Sequence, residues 1–154
     1  MIADTLSELE TLLQTVPERF SRLTPEAAAR PRAPGKWSRL QILGHLCDSA
    51  VNNLTRFVHG AAPSQEPLAI RPYDQNAWVA AQRYDDAPVD EVLALWLALN
   101  RSVVRVAKGL PADRLAHRCR LANGTVVTLE WLVTDYLDHL NHHLRQIFDG
   151  DETN

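Results

Sequence analysis

The sequence predicts an all-α fold: a four-helix bundle with one long crossover loop and a small β-hairpin before the last helix, read as a single domain over residues 1–154. Three observations predict it. Four stretches repeat apolar residues at helical spacing, the pattern of amphipathic helices. The segments between them are rich in proline and glycine. One pair, Asn123-Gly124, lies between short β-prone runs, which marks a tight hairpin.

The first helix runs from about Ala3 to Leu23, with Leu6, Leu9, Leu12, Leu13, Val16 and Phe20 on one face. Pro17 is a point of break or restart, and Thr15 with Glu18 forms a capping box for a restart. The following stretch, TPEAAARPRAPGKW, is irregular beyond one turn. Ser38 is the N-cap of the second helix, which continues to about His59. GAAPSQEPLAIRP, with three prolines, is a long loop, and loops of this length in compact domains often carry function. YDQNAWVAAQ forms a short helix. The third long helix starts near Pro88 and ends near Gly109, with Pro111 as the stop. HRCRLANGTVVT is the hairpin, and the last helix lies between Thr128 and Gly150.

The chain is long enough for one sizeable core. Its net charge of -3 gives no basic footprint for nucleic acid. No apolar run reaches the length a membrane helix needs. Asp4, Ser7 and Glu8 interrupt the N-terminal apolar residues, so no signal peptide is read there. Together these point to a cytoplasmic protein. Cys47 and Cys119 are read as two reduced thiols, with a single buried disulfide as the alternative.

The last helix packs His139, His142 and His143 into DYLDHLNHHLRQI. Its apolar face is Leu129, Leu132, Val133, Tyr136, Leu140, Leu144 and Ile147. His139 and His143 are four residues apart, so they stack on the flank of that face, whereas His142 turns towards Asp138 and Arg145. An i, i+4 histidine pair can chelate one ion, although the Glu of H-E-x-x-H is missing; the alternative is two ordinary helix histidines. On the second helix, Leu40, Leu43, Leu46, Cys47, Ala50, Leu54 and Phe57 form the apolar face, and Gln41, His45, Asp48, Asn52 and Arg56 the other. This second stripe carries neither Lys nor Glu, which suits a wet cavity between helices as well as a solvent face. In the cavity reading His45 meets His139 and His143 across the bundle. Three neutral imidazoles leave coordination positions open, the pattern of a catalytic metal site. Asp48 would then accept a hydrogen bond from a ligand imidazole or serve as a proton acceptor; a surface charge is the alternative. Asn52 and Arg56, further along the stripe, suit a polar or carboxylate-bearing substrate. His59 and His117 have no partner at ligand spacing and are read as surface or capping residues.

Three blocks, PGKWSRLQILGHLCDSAVNNLTRF, YDQNAWV and DYLDHLNHHLRQI, resemble the DinB/YfiT-like superfamily of bacterial metalloproteins, its YfiT-type branch in particular. The likeness spans about Arg30 to Phe148. It implies a four-helix bundle with a three-histidine metal site, the ligands being His45, His139 and His143, and often a homodimer. Some members resemble transferases that conjugate bacillithiol, mycothiol or glutathione to electrophiles, and others are described as metal-dependent hydrolases.

The leading expectation is therefore a thiol S-transferase using one divalent transition metal, Zn or Ni first, with Fe, Co, Cu or Mn as alternatives. Its partners would be a small-molecule thiol and an electrophilic substrate. A hydrolase using metal-activated water, with Asp48 as base, is the alternative. A non-catalytic dimeric metal-binding stress protein is the second alternative.

Overall fold

A computed structural model describes residues 1–149. Helix α1 spans Ile2–Phe20 and runs through Pro17 without a break. Proline there removes only one hydrogen bond, to the carbonyl one turn back, and the helix ends within its next turn. A short α2, Pro25–Ala29, is capped by Thr24, whose hydroxyl accepts from the Ala27 N–H at 3.1 Å. Helix α3, Arg39–Ala61, opens on a reciprocal capping box. The Ser38 hydroxyl accepts from the Gln41 N–H at 3.1 Å, and the Gln41 side-chain Oε1 accepts from the Ser38 N–H at 2.9 Å.

The long connection after α3 holds more structure than its prolines suggested. It contains β1, Leu68–Ala69, and continues into α4, Gln75–Gln82, the short helix expected over YDQNAWVAAQ, capped by Asp74. Arg83, at φ +51°, then turns the chain into a 3₁₀ turn at Tyr84–Asp86. Helix α5 spans Val89–Lys108 and the short α6 Ala112–Leu115. Strands β2, Arg118–Arg120, and β3, Val126–Thr128, form the expected antiparallel hairpin, with Gly124 at φ +87° in its turn. A third strand joins them: β1 pairs parallel to β2, in register Leu68 with Cys119, and the Ile70 N–H extends the pairing to the Arg120 carbonyl at 2.9 Å. The crossover loop is thus fastened to the hairpin. Helix α7, Leu129–Phe148, follows β3 directly, with the Thr128 hydroxyl accepting from the Trp131 N–H.

Helices α1, α3, α5 and α7 form the bundle, with α3 against both α5 and α7, and α1 against the same two. Leu9, Leu43, Leu46, Phe57, Trp96 and Ile147 are among the fully buried core side chains. The buried phenol of Tyr136 donates to Asn100 at 2.6 Å, so a polar link ties α7 to α5 within the core. Both cysteines are buried free thiols, and Cys47 points its sulfur at the Val92 carbonyl of α5. His117, expected at the surface, is buried at the start of β2, where its carbonyl accepts from the Leu129 N–H. No helix among the described residues is long and apolar enough to cross a membrane.

Candidate metal centre

Between the α3 capping box and Ala50, every residue of α3 except Gln41 is buried. The face that the sequence left as a wet cavity or a solvent face is covered by α7 on one side and by α4 and the 3₁₀ turn on the other. His45 sits in the middle of this stretch and is fully buried. His139 and His143, one turn apart on α7, are half-buried beside it.

The three rings converge. The His45 and His139 Nε2 atoms are 3.2 Å apart. Ring centroids lie 5.1 Å apart for His45–His139 and 4.6 Å for both His45–His143 and His139–His143. One nitrogen from each ring falls within 4.8 Å of the others. Ligand nitrogens around one ion, each about 2.0–2.1 Å from it, stand roughly 3.0–3.4 Å apart, so the closest pair has ligating separation. His143 Nδ1 contacts Gln146 Oε1 at 2.7 Å, and His139 Nδ1 contacts the Ser49 hydroxyl at 3.4 Å. Those contacts leave the Nε2 lone pairs for an ion. His142 is exposed, edge-on to His143, and outside the cluster.

Protonation favours ligation too. Burial, then the neighbouring His143 and His139, lowers the His45 pKa to about 3. Burial, then His143 and His142, lowers that of His139 to about 4. His143 is lowered by burial, with Gln146 opposing. At neutral pH all three rings are uncharged.

The two buried atoms behind this cluster test the fit of a metal. His45 Nδ1 and Asp48 Oδ2 are both buried without a hydrogen-bond partner among the described residues. An imidazole that gives Nε2 to an ion carries its proton on Nδ1 and needs an acceptor, and Asp48 Oδ2, one turn along α3, is an acceptor lacking a donor. The residues present therefore suit an ion held by His45, His139 and His143. Asp48 Oδ1 is already engaged: the Tyr84 hydroxyl donates to it at 2.7 Å and the Gln82 amide at 3.1 Å. Burial raises the Asp48 pKa, and these two hydrogen bonds oppose the rise. Tyr84 reaches this position only because residue 44 is glycine; a Cβ there would overlap the Tyr84 ring. Trp37, just before α3, closes the cluster, its ring 5.2 Å from that of His45.

Two cavities open from the centre. One, of about 340 Å³, is lined by Ser49, Asn53 and Arg56 of α3, Pro72, Tyr73 and Gln75 of the long connection, and Asp135, Tyr136 and His139 of α7. The other, of about 310 Å³, is lined by Arg32, Gly35, Lys36, Trp37, Ile42, Asn76, His143 and Gln146. Arg56 lines the first cavity, with its guanidinium donating to the Arg71 carbonyl at 2.8 Å and to Asn53 Oδ1 at 3.2 Å. Burial lowers its pKa, and Tyr73 and Asp135 oppose that. Asn52 is not among the lining residues; its amide donates to the Asp48 carbonyl at 2.8 Å, and Asn53 lines the cavity in its stead. Asp48 lines neither cavity. Sequence reasoning missed Ser49, Asn53, Tyr73 and Asp135. Stepping four residues at a time from His45 reaches Ser49 and Asn53, and stepping back four from His139 reaches Asp135.

The sequence matches the DinB superfamily over residues 8–147. A Bacillus subtilis protein named "Putative metal-dependent hydrolase YfiT" is 29% identical over 149 residues, covering 88% of this chain and 78% of the relative. A Bacillus pumilus protein named "Putative metal-dependent hydrolase" is 31% identical over 140 residues, with the same coverage of 88% and 78%. The solved structure of Bacillus subtilis YfiT, described as a four-helix bundle of unusual topology, superposes with a TM-score of 0.85 at 25% identity, covering 97% of this chain and 85% of that one. A mycothiol-dependent maleylpyruvate isomerase shares the fold at a TM-score of 0.69 and 16% identity, over 94% of this chain and 60% of the isomerase.

Proposed function

This chain belongs to the DinB superfamily, and from that membership we propose that it is a metal-dependent enzyme transferring a low-molecular-weight thiol to an electrophile. One observation carries the reading. The histidine cluster opens on two separate cavities, one through His139 and one through His143. Two small molecules can therefore approach the same centre from different sides, which suits a transfer between two bound molecules.

His45, His139 and His143 would hold a divalent transition ion, whose Lewis acidity makes a thiol acidic near neutral pH. In the net reaction an S–H bond and a carbon–leaving-group bond break, a C–S bond forms, and the proton departs with the leaving group. Arg56 binds a carboxylate or other negative group of the electrophile, and the Tyr73 phenol is placed to donate to charge developing there. Asp135, in the same cavity, is the group placed to hold the released proton; burial, then Asp138, raises its pKa. Asp48, its carboxylate fixed by Tyr84 and Gln82, would be the acceptor for the His45 Nδ1 proton once an ion takes Nε2.

Hydrolysis is the second reading. The names of the Bacillus relatives favour it, and Asp135 would then be the base for water. Metal-loaded protein incubated with a chromogenic electrophile, with and without a panel of thiols, separates the two. Conjugate formed only when thiol is present supports transfer. Turnover of esters or amides without thiol, and no conjugate with any thiol at full metal occupancy, refutes it.

A further inference from the structure

Along the wall of the first cavity runs a line of hydrogen bonds whose directions follow from the groups that make them. Ser49, Asn53 and Arg56 stand on successive turns of α3 and line the cavity together with Tyr73 and His139. At one end is Arg56, whose guanidinium can only donate. It donates to Asn53 Oδ1 at 3.2 Å. The Asn53 amide nitrogen therefore faces the other way, donating to the Ser49 carbonyl at 2.9 Å and to the Ser49 hydroxyl at 3.3 Å. At the other end is His139, whose Nδ1 lies 3.4 Å from the same hydroxyl. With Nε2 given to an ion, that ring carries its proton on Nδ1 and can only donate there.

A serine hydroxyl accepts two hydrogen bonds and gives one. Asn53 and His139 fill both acceptor positions, so the Ser49 proton must go to a third group. The Tyr73 phenol is that group, hydrogen-bonded to the Ser49 side chain. Its oxygen accepts from Ser49, and its own proton is left to point into the cavity. Burial raises the Tyr73 pKa, with the Ser49 bond opposing, so the phenol keeps that proton at neutral pH. The ring is held edge-on to Trp78, with centroids 5.6 Å apart. Without an ion, His139 can carry its proton on Nε2, 3.2 Å from His45 Nε2. Its Nδ1 then accepts from Ser49, and the Ser49 oxygen in turn takes the Tyr73 proton.

We infer that Ser49 is a positioning residue: it turns the Tyr73 hydroxyl proton towards an anionic group bound beside Arg56, and does so when an ion occupies the histidines. The inference rests on the proposed function for its metal and its electrophile, and not on which nucleophile attacks.

4-Nitrophenolate tests this, because it is an anion without a thiol and its absorption band moves to shorter wavelength when its oxygen accepts a hydrogen bond. Titrated into the zinc-loaded full chain, it should bind with a blue-shifted band. Tyr73→Phe should weaken binding by about tenfold or more and remove the shift. Ser49→Ala should weaken binding by about three- to tenfold and shrink the shift at unchanged zinc content. Ser49→Thr, which keeps the hydroxyl, should restore both. In the Tyr73→Phe background, Ser49→Ala should change affinity by less than about twofold, because its effect passes through the phenol. In zinc-free protein the loss on Ser49→Ala should disappear. A circular dichroism melt checks that each variant folds. No binding to the wild type, zinc loss or unaltered binding in Ser49→Ala, equal losses with alanine and threonine, or the same loss with Tyr73 already replaced overturns the inference. Conjugation and ester turnover are assayed in parallel on the same proteins. Turnover with independent Ser49 and Tyr73 effects on binding sinks the inference alone, whereas coupled effects without any turnover sink the proposed function alone.

Discussion

Acidification of the metal-free protein is a direct test of the histidine cluster. His45 and His139 have folded-state pKa values of about 3 and about 4. In the unfolded chain each returns to about 6.5. The folded values are depressed, so the unfolded state takes up protons first. Stability is therefore complete above about pH 6.5 and falls as the pH drops towards the folded values. Between about pH 7 and about pH 5, each unfolded ring gains most of a proton and each folded ring almost none. That costs about 2 kcal/mol per ring, or about 4 kcal/mol for the two. Because both folded values lie well below 5, the figure scarcely depends on where in that range each falls. Asp48 and Asp135 act with the opposite sign, since their raised pKa values relieve buried charge on acidification. A His45→Gln/His139→Gln variant keeps both carboxylates and removes the two imidazoles, so the difference between the proteins isolates the histidine contribution. The assay is urea unfolding of chelator-treated protein at the two pH values. The wild type should lose about 4 kcal/mol more than the variant. Equal losses would refute a buried, uncharged cluster.

Other outcomes follow from the same geometry. His45→Ala should abolish metal retention, whereas His142→Ala should keep one ion per chain, as read by elemental analysis of protein purified without a chelating column. Gly44→Ala, which sets a Cβ against the Tyr84 ring, should destabilise the fold by about 1–3 kcal/mol in thermal or urea unfolding. Tyr84→Phe removes one donor from a buried carboxylate and should cost about 1.5–3 kcal/mol, with a measurable fall in metal affinity if Asp48 supports His45.

The bundle was legible because its four long helices carry strong periodicity and recognisable ends. Ser38 with Gln41, and Thr128 at the start of α7, cap where their residue types suggest. The helical repeat paired His139 with His143 and left His45 on a stripe that suited a solvent face or a cavity; the family resemblance, not the spacing, implied all three as one ligand set. Two things were harder to read. The first was how completely α3 is wrapped. A stripe of short polar residues looks the same whether it faces water or other helices, and a shift of one residue, Asn52 to Asn53, changes which amide meets the cavity. The second was everything supplied by irregular chain. Strand β1 and the Tyr84 contact with Asp48 both depend on long-range contacts that leave no periodic trace.

The contact between Trp37 and His45 has an optical consequence. An indole 5.2 Å from a ligand ring lies within quenching range of a paramagnetic ion seated on that ring. The other three tryptophans are set elsewhere: Trp78 against Tyr73, Trp96 in the apolar core and Trp131 largely in solvent. The chain thus carries its own fluorophore at the metal centre. Loading with nickel, copper or cobalt should quench the Trp37 emission, giving an unlabelled readout of occupancy in which zinc stays bright.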